Sequence, residues 1–254
     1  MGLFRDGTIS TLEDLNAQDA SVLDVAAAEG VDVTRKMALA QNEIGLELTA
    51  WRARPAGYDL TPQPGGGSTD SVVVTPALLL WHAFRTLELV YRDAYNSQLN
   101  DRYRGRRDQY HDLAKSAAER LREAGIGIAV SPIAQAKQPV TGVATGTLPE
   151  GTYYAAAAWV NRGGEEGAGS TAAAIQVGEG SGFTVSAVDP PGNATGWNVF
   201  VGTTPEGLVQ QNALALDPNE SWTQSTIPLT TGHRPGTGQA PNYLKPAPRI
   251  LQRG

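Results

Sequence analysis

Three histidines, His82, His111 and His233, are the natural place to look for metal or acid–base chemistry. They fall in three separate segments, without the close pairs through which a helix or hairpin offers two ligands to one ion, so no metal site is expected. His82 and His111 read as helix-face residues. The chain has no cysteine, which excludes a thiolate centre, a disulfide framework and a cysteine nucleophile. Glu165 and Glu166 are neighbouring carboxylates in a Gly-rich turn and are expected to be solvated there, whereas general acid–base work needs a shielded pair with separated pKa values. Two glycine-rich stretches, residues 65–67 and 178–182, lie between proline-rich turns and between strands, so neither opens a helix that could cradle phosphate. Nucleophile-elbow, Walker, zincin and dinucleotide-binding patterns do not occur. Asn193-Ala-Thr195 fits the glycosylation sequon, but no secretory signal is expected, because Met1 is soon followed by Arg5, Asp6 and a helix cap. With no catalytic, cofactor-binding or metal-ligating residue assigned and no cofactor implied, a non-enzymatic protein is expected.

Charge is the stronger signal. Arg102, Arg104, Arg106 and Arg107 form a basic cluster, open to reading as a nucleic-acid or phosphate contact. Asp101, Asp108 and Asp112 interleave with it at helical spacing, which favours a salt-bridged face or a subunit interface. The first 50 residues carry 9 acidic against 3 basic side chains. That excess is a solvated face or, in a ring that DNA traverses, a lining that keeps the polyanion from sticking.

The elements that would position these residues divide at residue 136. Up to there the chain holds 14 Lys+Arg and 18 Asp+Glu with 11 Gly and 5 Pro; beyond it, 6 and 8 with 18 Gly and 11 Pro. Helix-like charge density thus gives way to strand-and-turn punctuation, and the expected fold class is α+β: an N-terminal α-helical bundle followed by a C-terminal antiparallel β-sandwich. The expected domains are 1–136, with a Pro/Gly-rich loop at 55–70; 137–231; and an extended arm, 232–254.

Ser10 and Glu13 fit a capping box opening a helix that runs to Gly30. Asp32 caps a second helix, with Val33, Met37, Ala40, Ile44, Leu48 and Trp51 on one face. Thr75-Pro76 starts a third, with the stripe Leu79, Ala83, Leu87, Val90 and Ala94. A fourth carries Tyr103, Tyr110, Leu113, Ala114, Ala117 and Leu121 and stops at Gly125. Beyond, residues 152–160 have the length and aromatic content of a strand with Tyr153, Ala155, Ala157 and Trp159 on one face. Further strands are expected at 171–177, 183–188, 196–201 and 214–222. About seven strands in this length is an immunoglobulin- or fibronectin-like count, with Trp159 and Trp197 as core aromatics. The arm is too rich in Pro and Gly to fold alone, yet it carries Tyr243, Leu244, Ile250 and Leu251, as if to dock on a partner by strand addition or to pack back on its own sandwich. No apolar run reaches the roughly 20 residues of a membrane span.

The acidic capped helix, the long helix ending in Trp51, the Pro/Gly loop, Trp81 to Tyr95, the run from Asn100-Asp-Arg-Tyr103 to Tyr110, and Gly125-Ile-Gly-Ile128 with Pro132-Ile133 together resemble the head-to-tail adaptor, or connector, proteins of tailed bacteriophages. The rest, with Trp197-Asn-Val-Phe-Val-Gly-Thr-Thr-Pro205 as its nearest stretch, resembles the immunoglobulin- or fibronectin-like modules appended to phage structural proteins. The resemblance implies a homo-oligomeric ring, usually dodecameric, assembled in the host cytoplasm and placed in the virion neck. Such a ring sits beneath the portal, extends the DNA channel without specific DNA binding, and docks the tail. Arg102, Arg104, Arg106, Arg107, Tyr243, Leu244, Ile250 and Leu251 are then the candidate portal or subunit contacts. The alternative is a free-standing binding or adhesion module on a helical oligomerisation stalk.

Overall fold

Ser10 is completely buried and its hydroxyl is committed to His82, so the first helix is capped one residue later than expected. In α1 (Leu12–Gln18) the Thr11 hydroxyl accepts from the Asp14 amide at 3.1 Å while Asp14 accepts from the Thr11 amide at 2.7 Å, a reciprocal capping box. The single helix expected up to Gly30 is interrupted: Asp19 is an extended C-cap, and α2 (Val22–Glu29) restarts behind Ser21. The break frees the Asp19 carboxylate to turn inward. Gly30 closes α2 in the left-handed region, φ 66°, where glycine carries no Cβ penalty.

The computed structural model describes residues 2–53, 68–98, 101–226, 231–236 and 238–246. It is an α+β protein of two units, one comprising Gly7–Ile128 with Pro241–Gly254, the other Met1–Asp6 with Ala129–Ala240.

In the first unit, α3 (Val33–Arg52) is capped by Asp32, whose carboxylate accepts from the Arg35 amide at 3.0 Å, and it buries the six residues of its expected stripe. Next, α4 (Pro76–Gln98) packs on α1, α2, α3 and α5 (Arg104–Ala124) and is buried nearly all round, as a helix at the centre of a helical unit must be. Near its start Leu78 is buried and the expected Leu79 only half-buried. A 3-10 turn, Asp101–Tyr103, leads into α5, which buries Tyr110, Ala114, Ala117 and Leu121. A short strand, β1 (Ile126–Ile128), comes directly after Gly125.

The second unit holds β2 (Val140–Leu148), β3 (Gly151–Asn161), β4 (Ala173–Val177), β5 (Ser181–Ser186), β6 (Ala194–Gly202), β7 (Val209–Gln210) and β8 (Ser221–Gln224). They form two antiparallel sheets, ordered β2-β5-β8 and β4-β3-β6-β7. One core serves both: Tyr153, Ala155, Ala157 and Trp159 from one pleat face of β3 meet Trp197, Val199 and Val201 of β6 and Phe183 and Val185 of β5. Trp159 and Trp197 are buried there as expected, and the Trp197 indole donates to the Asp217 and Glu220 carbonyls. The opposite face of β3 and β6, with Ala156, Ala158 and Phe200, is buried too. The segment 231–236 lies against it, with His233 edge-on to Phe200 and its carbonyl accepting from the Gln210 amide.

Unit boundaries differ from the expected cuts. Ile133 and Ala136 belong to the core of the sheets. The arm is divided as well: Gln239, 1% exposed, accepts from the Ile133 amide and donates to its carbonyl within the sheet unit. By contrast, β9 (Asn242–Leu244) pairs antiparallel with β1 in the helical unit, Ile126 opposite Leu244. Ile250, Leu251 and most of the 55–70 loop lie outside the described residues.

Candidate functional site

The basic cluster starts where the 3-10 turn enters α5, and helical geometry sends its members to different sides. Arg106 turns inward and donates to Asp19 at 2.6 Å. Asp19 also accepts from the hydroxyls of Tyr91 (2.6 Å), Tyr110 (2.9 Å) and Ser21 (2.7 Å) and from the Ser21 amide (3.0 Å). Burial alone would raise its pKa; the donors outweigh burial and hold it at about 2. Burial and the same carboxylate push Tyr91 and Tyr110 up to about 12. This node ties the α1–α2 break to α4 and α5, so Arg106 is a structural residue of the helical unit. Arg107 lies over the Tyr95 ring at 4.6 Å and pairs with Asp108 at 2.7 Å. Arg104 faces Asp101 at 3.9 Å with both side chains mostly exposed, and Arg102 stands 5.4 Å from the Tyr103 ring. Arg102 and Arg104 are exposed, and Arg106 keeps 49% of its side chain exposed against 28% for Arg107.

The histidines are not brought together, and no cluster of three metal-ligating side chains exists among the described residues. His82 lies on a face of α4 that is fully buried. Its Nε2 meets the Met37 carbonyl at 3.0 Å, which can only accept, so Nε2 donates and Nδ1 accepts from the Ser10 hydroxyl at 2.6 Å. Burial pushes its pKa below the usual imidazole value, with the Met37 bond opposing. His111, on α5, sets Nδ1 3.0 Å from Glu88. The expectation that both turn carboxylates are solvated fails for Glu166: the chain bridges back from Glu166 to Val160, leaving it 7% exposed, and it accepts from Asn198 at 2.7 Å and from the Gly236 amide at 3.2 Å. Glu165 accepts from Asn161.

Tyr243 and Leu244 lie on β9 with relative exposures of 57% and 39%. Gly125 permits their approach: its φ is 103°, and a Cβ there would meet the Leu244 carbonyl oxygen and Tyr243 Cβ at 3.2 Å.

A groove of about 570 Å³ on the helical unit is lined by α3, α4 and α5. At one end Trp51 stacks on Trp81, ring centroids 5.3 Å apart and 10° from parallel. Across the floor, Arg85 donates to Glu43 at 2.7 Å and to Glu88 at 2.5 Å, and Glu88 accepts from His111, a ladder joining all three helices. Sequence reading did not anticipate this ladder, although Glu88 between Leu87 and Leu89 is a charge inside an apolar run and is 6% exposed. Nor did it anticipate the Asp19 node, whose partners Tyr91, Arg106 and Tyr110 are 72 and more positions away.

No protein-family model matches the chain, and no curated protein sequence resembles it.

Proposed function

We propose that the chain is a non-enzymatic structural protein of a tailed-phage virion, a head-to-tail adaptor that assembles with copies of itself into a ring beneath the portal. The observation that carries the self-association is a second apolar track on α3. Its first track is buried in the helical unit. Leu39 and Leu46, one heptad apart and therefore on a common face, are 37% and 73% exposed on the side away from that track. A neighbouring copy covering them makes a heterologous contact of the kind that closes a ring.

In this reading the helical unit is the adaptor bundle and the two sheets an immunoglobulin- or fibronectin-like sandwich. Three plus four antiparallel strands over one core support that assignment. Arg102, Arg104, Arg106, Arg107, Tyr243 and Leu244 are the candidate contacts to a neighbour or the portal, with Ile250 and Leu251 further along the arm. Glu13, Asp24, Asp32 and Glu47 are exposed on α1 to α3 or their caps, as suits a channel that DNA passes without being held. Among the described residues no Phe, Tyr or Trp of the sheet unit is exposed, which favours packing over glycan binding as that unit's role.

The test is the mass of the purified chain and its appearance in electron micrographs, alone and with a portal protein. Rings, alone or on the portal, are expected, and Leu39→Asp with Leu46→Asp is expected to abolish them while leaving the circular dichroism unchanged. A monomer indifferent to the portal overturns the proposal and favours the free-standing module.

A further inference from the structure

The groove on the helical unit has a definite end from which a chain can enter it. Because β1 leads away from the C-terminus of α5 and β9 runs antiparallel to it, β9 leads back toward α5, with Leu244 beside Gly125. Trp81 near the start of α4, Trp51 near the end of α3 and Arg122 near the end of α5 line the groove. The backbone past Leu244 is therefore aimed at the helix on whose flank the groove lies.

Beyond Leu244 the chain reads Lys245-Pro-Ala-Pro-Arg-Ile-Leu-Gln-Arg-Gly254, with three basic residues and no acid. The groove lining sets four carboxylates against three lysines and arginines, and two of those carboxylates, Glu47 and Glu119, have no ion-pair partner among the described residues. The buried indole nitrogen of Trp51 has no acceptor among the described residues either, where a buried indole N–H ordinarily finds one. Reach is sufficient. Seven extended residues from Leu244 to Leu251 span roughly 23 Å, whereas the stretch of α5 from Ala118 to its end rises only about 10 Å.

We propose that residues 247–254 dock in the α3–α4–α5 groove of their own chain, with Ile250 and Leu251 against its apolar lining of Trp51, Trp81, Ala114 and Ala118 and Arg249 and Arg253 toward Glu47 and Glu119. The inference concerns the chain by itself, and the one residue it shares with the proposed ring contact is Leu46, which also lines the groove. The other stretch that starts near Trp51, residues 54–67, carries one Arg and one Asp and offers no such charge complement.

The absence of cysteine makes the test direct, since two introduced thiols have only each other. The full chain carrying Leu251→Cys with Ala118→Cys, or with Lys115→Cys one turn away, is oxidised at micromolar concentration. An internal disulfide is expected, exceeding the crosslink between chains by ~10-fold or more, since a short tether holds the thiols at a millimolar effective concentration. A crosslink only between chains makes a second copy the occupant and overturns the proposal, as does the absence of any crosslink with both pairs. Faster internal crosslinking of Leu60→Cys with Ala118→Cys assigns the groove to residues 54–67 and also overturns it.

Discussion

Replacing Asp19 by Asn keeps the shape of the side chain and removes its charge. Five groups donate to that carboxylate, the hydroxyls of Tyr91, Tyr110 and Ser21, the Ser21 amide and the guanidinium of Arg106. An amide offers one acceptor in place of two and turns a donor toward hydroxyls that were themselves donating. In the native chain the carboxyl ionises at about 2 instead of its ordinary 3.8. A lowered pKa means stability that is fully present above the ordinary value and is lost as pH falls toward about 2. The size of the shift corresponds to about 2 kcal/mol. Arg106 is half-exposed, so its charge returns to water without the further penalty of a stranded buried ion. Urea unfolding followed by helical circular dichroism should therefore place Asp19→Asn about 2 kcal/mol below the native chain near neutrality, and the gap should close between about pH 4 and pH 2. Other carboxylates titrate in both proteins and cancel in the difference. No gap near neutrality, or one that persists unchanged to about pH 2, would refute the assignment of the charged carboxylate as the tie between the α1–α2 break and α4–α5.

Ser10→Ala leaves His82 Nδ1 buried without its donor and should cost about 1–3 kcal/mol in the same unfolding measurement, since a stranded buried acceptor loses its full solvation. Gly182→Ala would set a Cβ 2.5 Å from the Gln224 carbonyl oxygen, backbone that cannot yield without parting β5 from β8. A loss of about 1–3 kcal/mol in the unfolding of the sheet unit is expected, as for other overpacked sites. Gly178→Ala, with nothing within 4 Å of its added carbon, should be neutral by comparison.

The long periodic elements were legible because burial of one face writes itself into the sequence. The α3 stripe, the Asp32 and Gly30 caps, and the inward face of β3 are each where their spacing puts them. What failed was local competition for a side chain. Ser10 and Thr11 are equally good caps in isolation, and only the buried His82, 72 positions on, decides between them. Helix propensity carries smoothly through residues 19–21, and only the hydroxyls of Tyr91 and Tyr110 and the guanidinium of Arg106 make turning Asp19 inward favourable. The Arg102–Arg107 cluster looks uniform in sequence, whereas helical geometry brings only the guanidinium of Arg106, itself half-exposed, onto the buried Asp19 and gives Arg102, Arg104 and Arg107 other partners.

The least legible feature is the destination of the chain ends. A strand of three residues has too little alternation to announce itself, so β9 reads as part of a Pro/Gly arm. Yet each unit is completed by a distant segment. The helical unit contains residues from Pro241 onward, and the sheet unit contains the buried Leu3 and Phe4 and closes on Gln239. Stopping the chain at Thr231, in sequence the clean removal of an arm, would strip β9 from β1 and Gln239 from the Ile133 backbone together. It would leave β1 with only its bridge to Val72 and the bond from the Val73 amide, and a buried amide and carbonyl of the other unit without partners. A lost interaction in such a truncation reports on damaged folds as much as on the arm. A question about Ile250 and Leu251 has to be put to a chain that keeps everything through Pro246.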